Sequence, residues 1–181
     1  AFPDWTAVRC WVDGERFALA TGEILEYCRL LDMRRAIVKR KVRWKSPSGK
    51  RIIVVSERLL SREDVHLGVL RVRFEAEDAC DLRLETGVEG KVASRWAPHL
   101  LDIRPFAAEG RLGVEARTTE PGYRLRVETR TSWGEHRSCT EATEESSAWS
   151  SVSCPLRPGE MVSATVFASV VESRFVDGSL E

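Results

Sequence analysis

From Leu70 the chain alternates with a period of two. Leu70, Val72, Phe74 and Ala76 fall on one side, and Arg71, Arg73, Glu75 and Glu77 on the other. From Tyr123 the same pattern sets Tyr123, Leu125, Val127 and Thr129 against Arg124, Arg126, Glu128 and Arg130. From Val38 it sets Val38, Val42 and Trp44 against Lys39, Lys41, Arg43 and Lys45. Successive side chains of a strand point to opposite faces, so this spacing predicts strands with one packed face and one wet face, the habit of antiparallel sheets.

Turn chemistry punctuates the runs. Asp13-Gly14 separates Ala7–Val12 from Glu15–Ala20, and Asp-Gly tolerates the positive φ of a tight hairpin. Ser46-Pro47-Ser48-Gly49 separates Ile37–Lys45 from Arg51–Ser61. Pro121-Gly122 opens the Tyr123 strand, and Arg157-Pro158-Gly159 precedes the apolar run Met161–Val171. A short helical turn is expected around Ser61–Val65, and no longer stretch keeps a helical period. Three stretches read as loops: Gly87–Arg111, the Ser/Thr/Glu-rich Ser132–Ser153, and the exit linker Phe175–Glu181. The sum is roughly nine to eleven strands, more than one open sheet holds comfortably, which predicts an all-β fold of two packed antiparallel sheets, a β-sandwich.

Composition supports a globular domain: of 181 residues, 43% are hydrophobic and 31% charged. Lys plus Arg and Asp plus Glu each total 28, so the basic excess of a nucleic-acid binder is missing. No apolar run approaches the roughly 18 residues of a membrane-spanning helix, and the start Ala1-Phe2-Pro3-Asp4-Trp5 does not read as a signal peptide. The five cysteines include no C-x-x-C pair, which argues against a zinc site. Cys10 and Cys28 read as core thiols. Cys139 and Cys154 could pair in an oxidising compartment, but a reduced, cytoplasmic protein is the expectation.

Candidate chemistry is sparse. Glu23 with Glu26 and Glu57 with Asp64 are pairs of carboxylates, better read as solvated strand edges than as the acid and base of a glycosidase. No G-x-S-x-G accompanies the three histidines. His66 reads as a strand-opening residue bonded to backbone. His99, after Trp96-Ala97-Pro98, is placed to meet a ligand or partner. The basic run Arg34, Arg35, Lys39, Arg40, Lys41, Arg43 and Lys45 is expected to pair across strands with Glu23, Glu26 or Glu57. Of six tryptophans, Trp11 and Trp44 read as core. Trp96, Trp133 and Trp149 fall in the expected loops, where a sugar could stack but folding back over the sheet is the simpler outcome.

Several segments, read in order, resemble the N-terminal β-sandwich domain of glycoside hydrolase family 65, which includes the maltose, trehalose, kojibiose and nigerose phosphorylases. They are Phe2-Pro3-Asp4-Trp5-Thr6, Val12-Asp13-Gly14-Glu15, Thr21-Gly22-Glu23-Ile24-Leu25-Glu26-Tyr27 with Arg29, and Leu31-Asp32-Met33-Arg34. Further on come Ser56-Glu57-Arg58, Ser61, Asp64-Val65-His66-Leu67, Gly90 with Val92 and His99-Leu100, Pro158-Gly159-Glu160 and Ser173-Arg174. The resemblance is strong through Leu67 and weaker over Ser132–Ser153. None of these motifs is a catalytic signature.

The resemblance implies a galactose-mutarotase-like super-sandwich over residues 1–175, with residues 176–181 starting a linker to an (α/α)6-barrel catalytic domain. The family's domain usually begins earlier, with a Gly-rich stretch and first strands that this chain lacks. The implied parent is a homodimeric enzyme that cleaves an α-linked glucose disaccharide by inverting phosphorolysis, or by hydrolysis. Its co-substrate would be inorganic phosphate, with no other cofactor or metal and no nucleic-acid or membrane partner. The general acid and the phosphate site lie in the barrel, so no catalytic residue carries over to this chain. The resemblance makes Gly87–Leu101 the loop expected at the active-site mouth, with Ser94, Arg95, Trp96 and His99 as its candidates. Ser94 and Trp96 stand where members often have Asn and Gly. Two rival readings are a free-standing carbohydrate-binding module and a ligand-free scaffold or oligomerisation domain.

Overall fold

A computed structural model describes residues 2–92, 98–134 and 138–174 of the chain. Thirteen strands account for most of them: β1 (Asp4–Val12), β2 (Glu15–Arg16), β3 (Glu23–Asp32), β4 (Ile37–Lys45), β5 (Arg51–Leu60), β6 (Leu67–Ala76), β7 (Cys80–Glu89), β8 (Leu100–Ala108), β9 (Arg111–Thr118), β10 (Arg124–Trp133), β11 (Thr140–Thr143), β12 (Ser147–Leu156) and β13 (Met161–Glu172). They form a five-stranded sheet, β11-β12-β7-β1-β2, and an eight-stranded sheet, β3-β4-β5-β6-β13-β10-β9-β8. Every pairing is antiparallel. The expected two-sheet antiparallel sandwich is the fold.

The core follows from the alternation. Leu70, Val72, Phe74 and Ala76 of β6, Val42 and Trp44 of β4, and Ile52 and Val54 of β5 all point inward and are buried. They meet Cys10 and Val12 of β1 and Leu82 and Leu84 of β7, which come from the small sheet. A second cluster gathers Val88, Leu100, Val114, Ala116, Leu125 and Val127. The hairpin between β1 and β2 turns on Asp13 and Gly14, both at positive φ (49° and 81°), as the Asp-Gly pair predicts. The basic strand β4 has the expected bounds, and Lys39, Lys41 and Lys45 pair with Glu57, Glu26 and Glu23 at 3.0, 2.9 and 3.4 Å.

Several expectations need correcting. The stretch Gly87–Arg111 is not one loop: Gly87 lies inside β7, β8 runs through its second half, and Arg111 opens β9. Gly87 is there because a Cβ would sit 2.0 Å from the Ala148 carbonyl oxygen of β12. Pro105 is tolerated because β8 is the free edge of the large sheet. Ser132–Ser153 likewise contains β11 and most of β12. Its polar residues are spent on packing: the Trp133 indole N–H donates to the Ser150 hydroxyl at 3.0 Å. No helix forms at Ser61–Val65. The segment makes a turn in which the Asp64 N–H donates to the Ser61 hydroxyl and the Leu67 N–H to the Asp64 carbonyl. Glu15–Ala20 shrinks to a strand of two residues.

Two placements also change. Cys28 is exposed, not buried, because eight strands face five and the edge strand β3 is left uncovered, with Glu23–Leu31 exposed throughout. Trp11 is not in the core but on the outer face of the small sheet, under the Arg83 guanidinium, 4.9 Å from the ring centre. All five cysteines are thiols, and Cys139 and Cys154 are not bridged. The proposed linker, residues 176–181, lies outside the described residues.

Candidate functional site

The segment expected at a ligand or partner is the connection from β7 to β8. Its descent from β7 is fixed by close packing. The Gly90 N–H donates to the Ser146 carbonyl at 2.9 Å, and a Cβ at Gly90 would fall 2.6 Å from that same oxygen and 2.8 Å from Ile103. The Glu89 carboxylate accepts from the Lys91 N–H at 3.0 Å and from the Ser146 hydroxyl at 3.3 Å. On the far side the His99 carbonyl accepts from the Thr119 N–H at 3.0 Å, and Leu100 enters the second core cluster. Both ends of the connection are thus anchored to the sandwich. His99 sits half-buried beside Leu100, while Ser94, Arg95 and Trp96 lie outside the described residues.

Beside this connection, the outer face of the small sheet carries an ionic cluster that the sequence did not reveal. Arg9 of β1 stands directly across from Glu85 of β7. Its guanidinium donates to Glu144 at 3.0 Å, approaches Glu89 at 3.4 Å and Glu85 at 3.7 Å, and lies 3.7 Å from the centre of the Trp149 ring. The Trp149 indole N–H donates to the Ser147 hydroxyl at 2.8 Å and to Glu144 at 3.2 Å. The only sequence signal was an arginine on the wet side of an alternating strand.

This arrangement decides between roles. Arg9 chiefly, with the Ser147 and Trp149 donors, holds the Glu144 carboxyl below its ordinary range. Glu144 therefore stays an anion, whereas a general acid needs a raised pKa. The face of Trp149 that a sugar would stack on is taken by Arg9, and Trp133 is buried against β12. The carboxylate pairs also settle as surface ion pairs or caps. Glu23, Glu26 and Glu57 bind lysines, and Asp64 accepts the His66 N–H at 2.9 Å. His66 itself bonds the Val170 carbonyl through Nδ1 at 2.7 Å, as its strand-opening position predicts. Burial, with Cys80 nearby, pushes the Cys10 thiol up, away from the thiolate a nucleophile needs. Among the described residues no group of three or more His, Cys, Asp or Glu side chains could hold a metal ion.

The whole chain, residues 1–181, matches the family described as glycosyl hydrolase family 65, N-terminal domain. It is 34% identical over 109 residues to an α,α-trehalose phosphorylase of Thermoanaerobacter brockii, a stretch that covers 49% of this chain and 14% of that protein. It is 28% identical over 122 residues to a kojibiose phosphorylase of Halothermothrix orenii, covering 66% of this chain and 16% of that one. A nigerose phosphorylase of Lachnoclostridium phytofermentans is 30% identical over 135 residues, covering 75% and 17%. The matches therefore span about a sixth of the length of these relatives. Among solved structures, one assigned as a kojibiose phosphorylase from the human microbiome superposes with a TM-score of 0.87 at 16% identity, over 99% of this chain and 23% of that one, a likeness of fold.

Proposed function

Since the chain belongs to glycosyl hydrolase family 65, of which it is the N-terminal domain, we propose that it is the non-catalytic sandwich of a disaccharide phosphorylase. In this reading the sandwich packs on an (α/α)6-barrel catalytic domain, contributes to a cytoplasmic homodimer, and sends the β7–β8 connection to the active-site mouth. The observation that carries the reading is the set of relatives matched: their names specify phosphorolysis of trehalose, kojibiose and nigerose.

The chemistry belongs to the parent enzyme. A carboxylic acid in the barrel protonates the glycosidic oxygen while phosphate attacks the opposite face of the glucose. The products are β-glucose 1-phosphate and the released sugar. A hydrolytic parent would use water with a second carboxylate as base. The sandwich supplies shape: the described ends of its β7–β8 connection are held at Gly90 and at His99.

The test uses the full-length parent protein, phosphate, and a panel of trehalose, maltose, kojibiose and nigerose, with β-glucose 1-phosphate as readout. The 181-residue chain runs alongside. Phosphate-dependent product from the parent alone is expected, and no activity from the parent on any sugar would overturn the reading. For the mouth, Trp96→Ala and His99→Ala in the parent should raise KM for the preferred disaccharide. Unchanged kinetics for every disaccharide in both variants would remove the connection from the site. The rival reading, a free-standing carbohydrate-binding module, is weakened because Trp133 and Trp149 are buried and offer no platform.

A further inference from the structure

The β3–β5 end of the large sheet carries cations on both of its faces. On the outer face of β4, Lys39, Lys41, Arg43 and Lys45 each have a carboxylate within 3.4 Å. The inner face differs. There Arg29 of β3, Arg40 of β4 and Arg58 of β5 line one groove, and no carboxylate lines it with them. None of the three has an acidic partner among the described residues. Register sets them together. Arg29 lies directly opposite Arg40, Arg40 directly opposite Ser56, and Arg58 directly opposite Val38, two positions from Arg40. Directly opposed side chains have Cβ atoms about 5 Å apart and diagonal ones about 7–8 Å, so three like charges share one site, a destabilising arrangement when nothing stands between them.

The space beside them fits an occupant. The groove has a volume of about 310 Å³ and lies where the inner face passes from core to solvent. Val54, Val72 and Phe74 give it an apolar floor, and Ser56 adds a hydroxyl beside Arg40. Arg40 is half-buried, which strengthens its field relative to open water.

We propose that this groove binds the phosphate group of a small molecule, either inorganic phosphate or a sugar phosphate. Three guanidinium groups call for more than one negative charge. A phosphate carrying about −1.5 to −2 at neutral pH supplies it, with three acceptor oxygens, whereas a single carboxylate would leave two arginines unbalanced. Guanidinium forks match phosphate oxygens in paired hydrogen bonds. The volume lies at the lower end of the range for small-molecule sites, about 300–1,000 Å³, and the apolar floor suits the ring of a sugar.

The experiment is calorimetric titration of the 181-residue chain at low ionic strength with inorganic phosphate and, separately, glucose 1-phosphate. Glucose and an acidic glutamate peptide serve as controls. Saturable one-to-one binding of a phosphate species is expected, weakened about tenfold or more in the triple variant Arg29→Gln/Arg40→Gln/Arg58→Gln, in line with the loss of charge-assisted hydrogen bonds. Glucose should not bind. Tighter binding of glucose 1-phosphate would identify a sugar phosphate as the ligand, and equal binding would identify phosphate itself. Thermal unfolding adds a second readout. Arg40→Gln without ligand should be at least as stable as the unaltered chain, because it removes a like-charge contact. Phosphate should raise the melting temperature of the unaltered chain and not that of the triple variant. No saturable binding of either phosphate, binding undiminished in the triple variant, or arginine-dependent binding of the acidic peptide in place of phosphate would each overturn the proposal. Turnover is not needed, so the result is read separately from that of the disaccharide assay.

Discussion

Trp44→Leu tests the physical account of the main core most directly. Trp44 is fully buried. Its indole N–H donates to the Thr21 carbonyl at 2.5 Å, and its ring meets Phe17 edge-on at 5.4 Å between centres. Gly22 lies so close that a Cβ there would fall 2.7 Å from the indole nitrogen. The residue therefore fills the core and also fastens the start of β3. Leucine loses the hydrogen bond, about 1 kcal/mol net, and the aromatic contact, about 1 kcal/mol. It also leaves a cavity worth about 1–2 kcal/mol, less than the 3–5 kcal/mol of a full truncation to Ala because leucine refills part of the space. The expected loss is about 3–4 kcal/mol. With a urea m-value of about 2 kcal/mol/M, the midpoint should fall by about 1.5–2 M with the slope unchanged. Amides at the start of β3 should exchange faster than those of β6. A double-mutant cycle with Phe17→Leu should return a coupling of about 1 kcal/mol. A loss below about 1 kcal/mol, or additive single variants, would refute the argument.

Gly87→Ala should cost about 2–3 kcal/mol by overpacking, since the new Cβ would meet the Ala148 carbonyl at 2.0 Å and both atoms belong to the β7–β12 ladder. A variant as stable as the unaltered chain would show that the two strands can part there. Lys41→Ala should change stability by less than about 0.5 kcal/mol, because its pair with Glu26 is exposed on both sides. A larger loss that salt also abolishes would contradict this. Asp78 gives a pH dependence of known sign. Hydrogen bonds from the Arg51 side chain and N–H hold its carboxyl well below the ordinary carboxylate value. Its contribution is therefore present in full above about pH 4 and fades as pH falls through the lowered folded value. Asp78→Asn should flatten the acid limb of a stability–pH curve, and an unaltered limb would exclude the pair as its source.

The sequence was legible wherever one face of a strand was apolar. β4, β6, β10 and β13 show this, and β4 keeps its expected bounds. The pattern failed where small or polar residues pack. In β12, Ser147 and Ser150 are buried because their hydroxyls accept from the Trp149 and Trp133 indoles, so a buried strand looks like a polar loop. Gly87 and Pro105 read as breakers, yet one admits a neighbouring backbone and the other lies on a free edge, and neither reason is local. The exposure of Cys28 depends on the unequal widths of two sheets, which no window of sequence contains. The basic run was read correctly for its lysines. Arg40, however, falls on the opposite face, and its companions Arg29 and Arg58 come from strands outside the run. Arg9, Glu85, Glu89 and Glu144 were invisible as a group because two separate strands and a turn bring them together.

The titratable groups also indicate what kind of work the described residues do. The carboxyls of Glu15, Asp78, Glu144 and Glu172 are all held below their ordinary range by hydrogen bonds, from serine hydroxyls for Glu15 and chiefly from arginines for the other three. The thiols of Cys10 and Cys80 are both pushed up, chiefly by burial. Acid catalysis would call for the reverse in a carboxyl, and nucleophilic catalysis for the reverse in a thiol. A carboxylate stabilised as an anion by a cross-strand or neighbouring arginine adds cohesion and resists taking up a proton. Among the described residues, the charge arrangement thus favours cohesion between strands. It also makes the groove of Arg29, Arg40 and Arg58 stand out, because there three arginines line one site that no carboxylate lines.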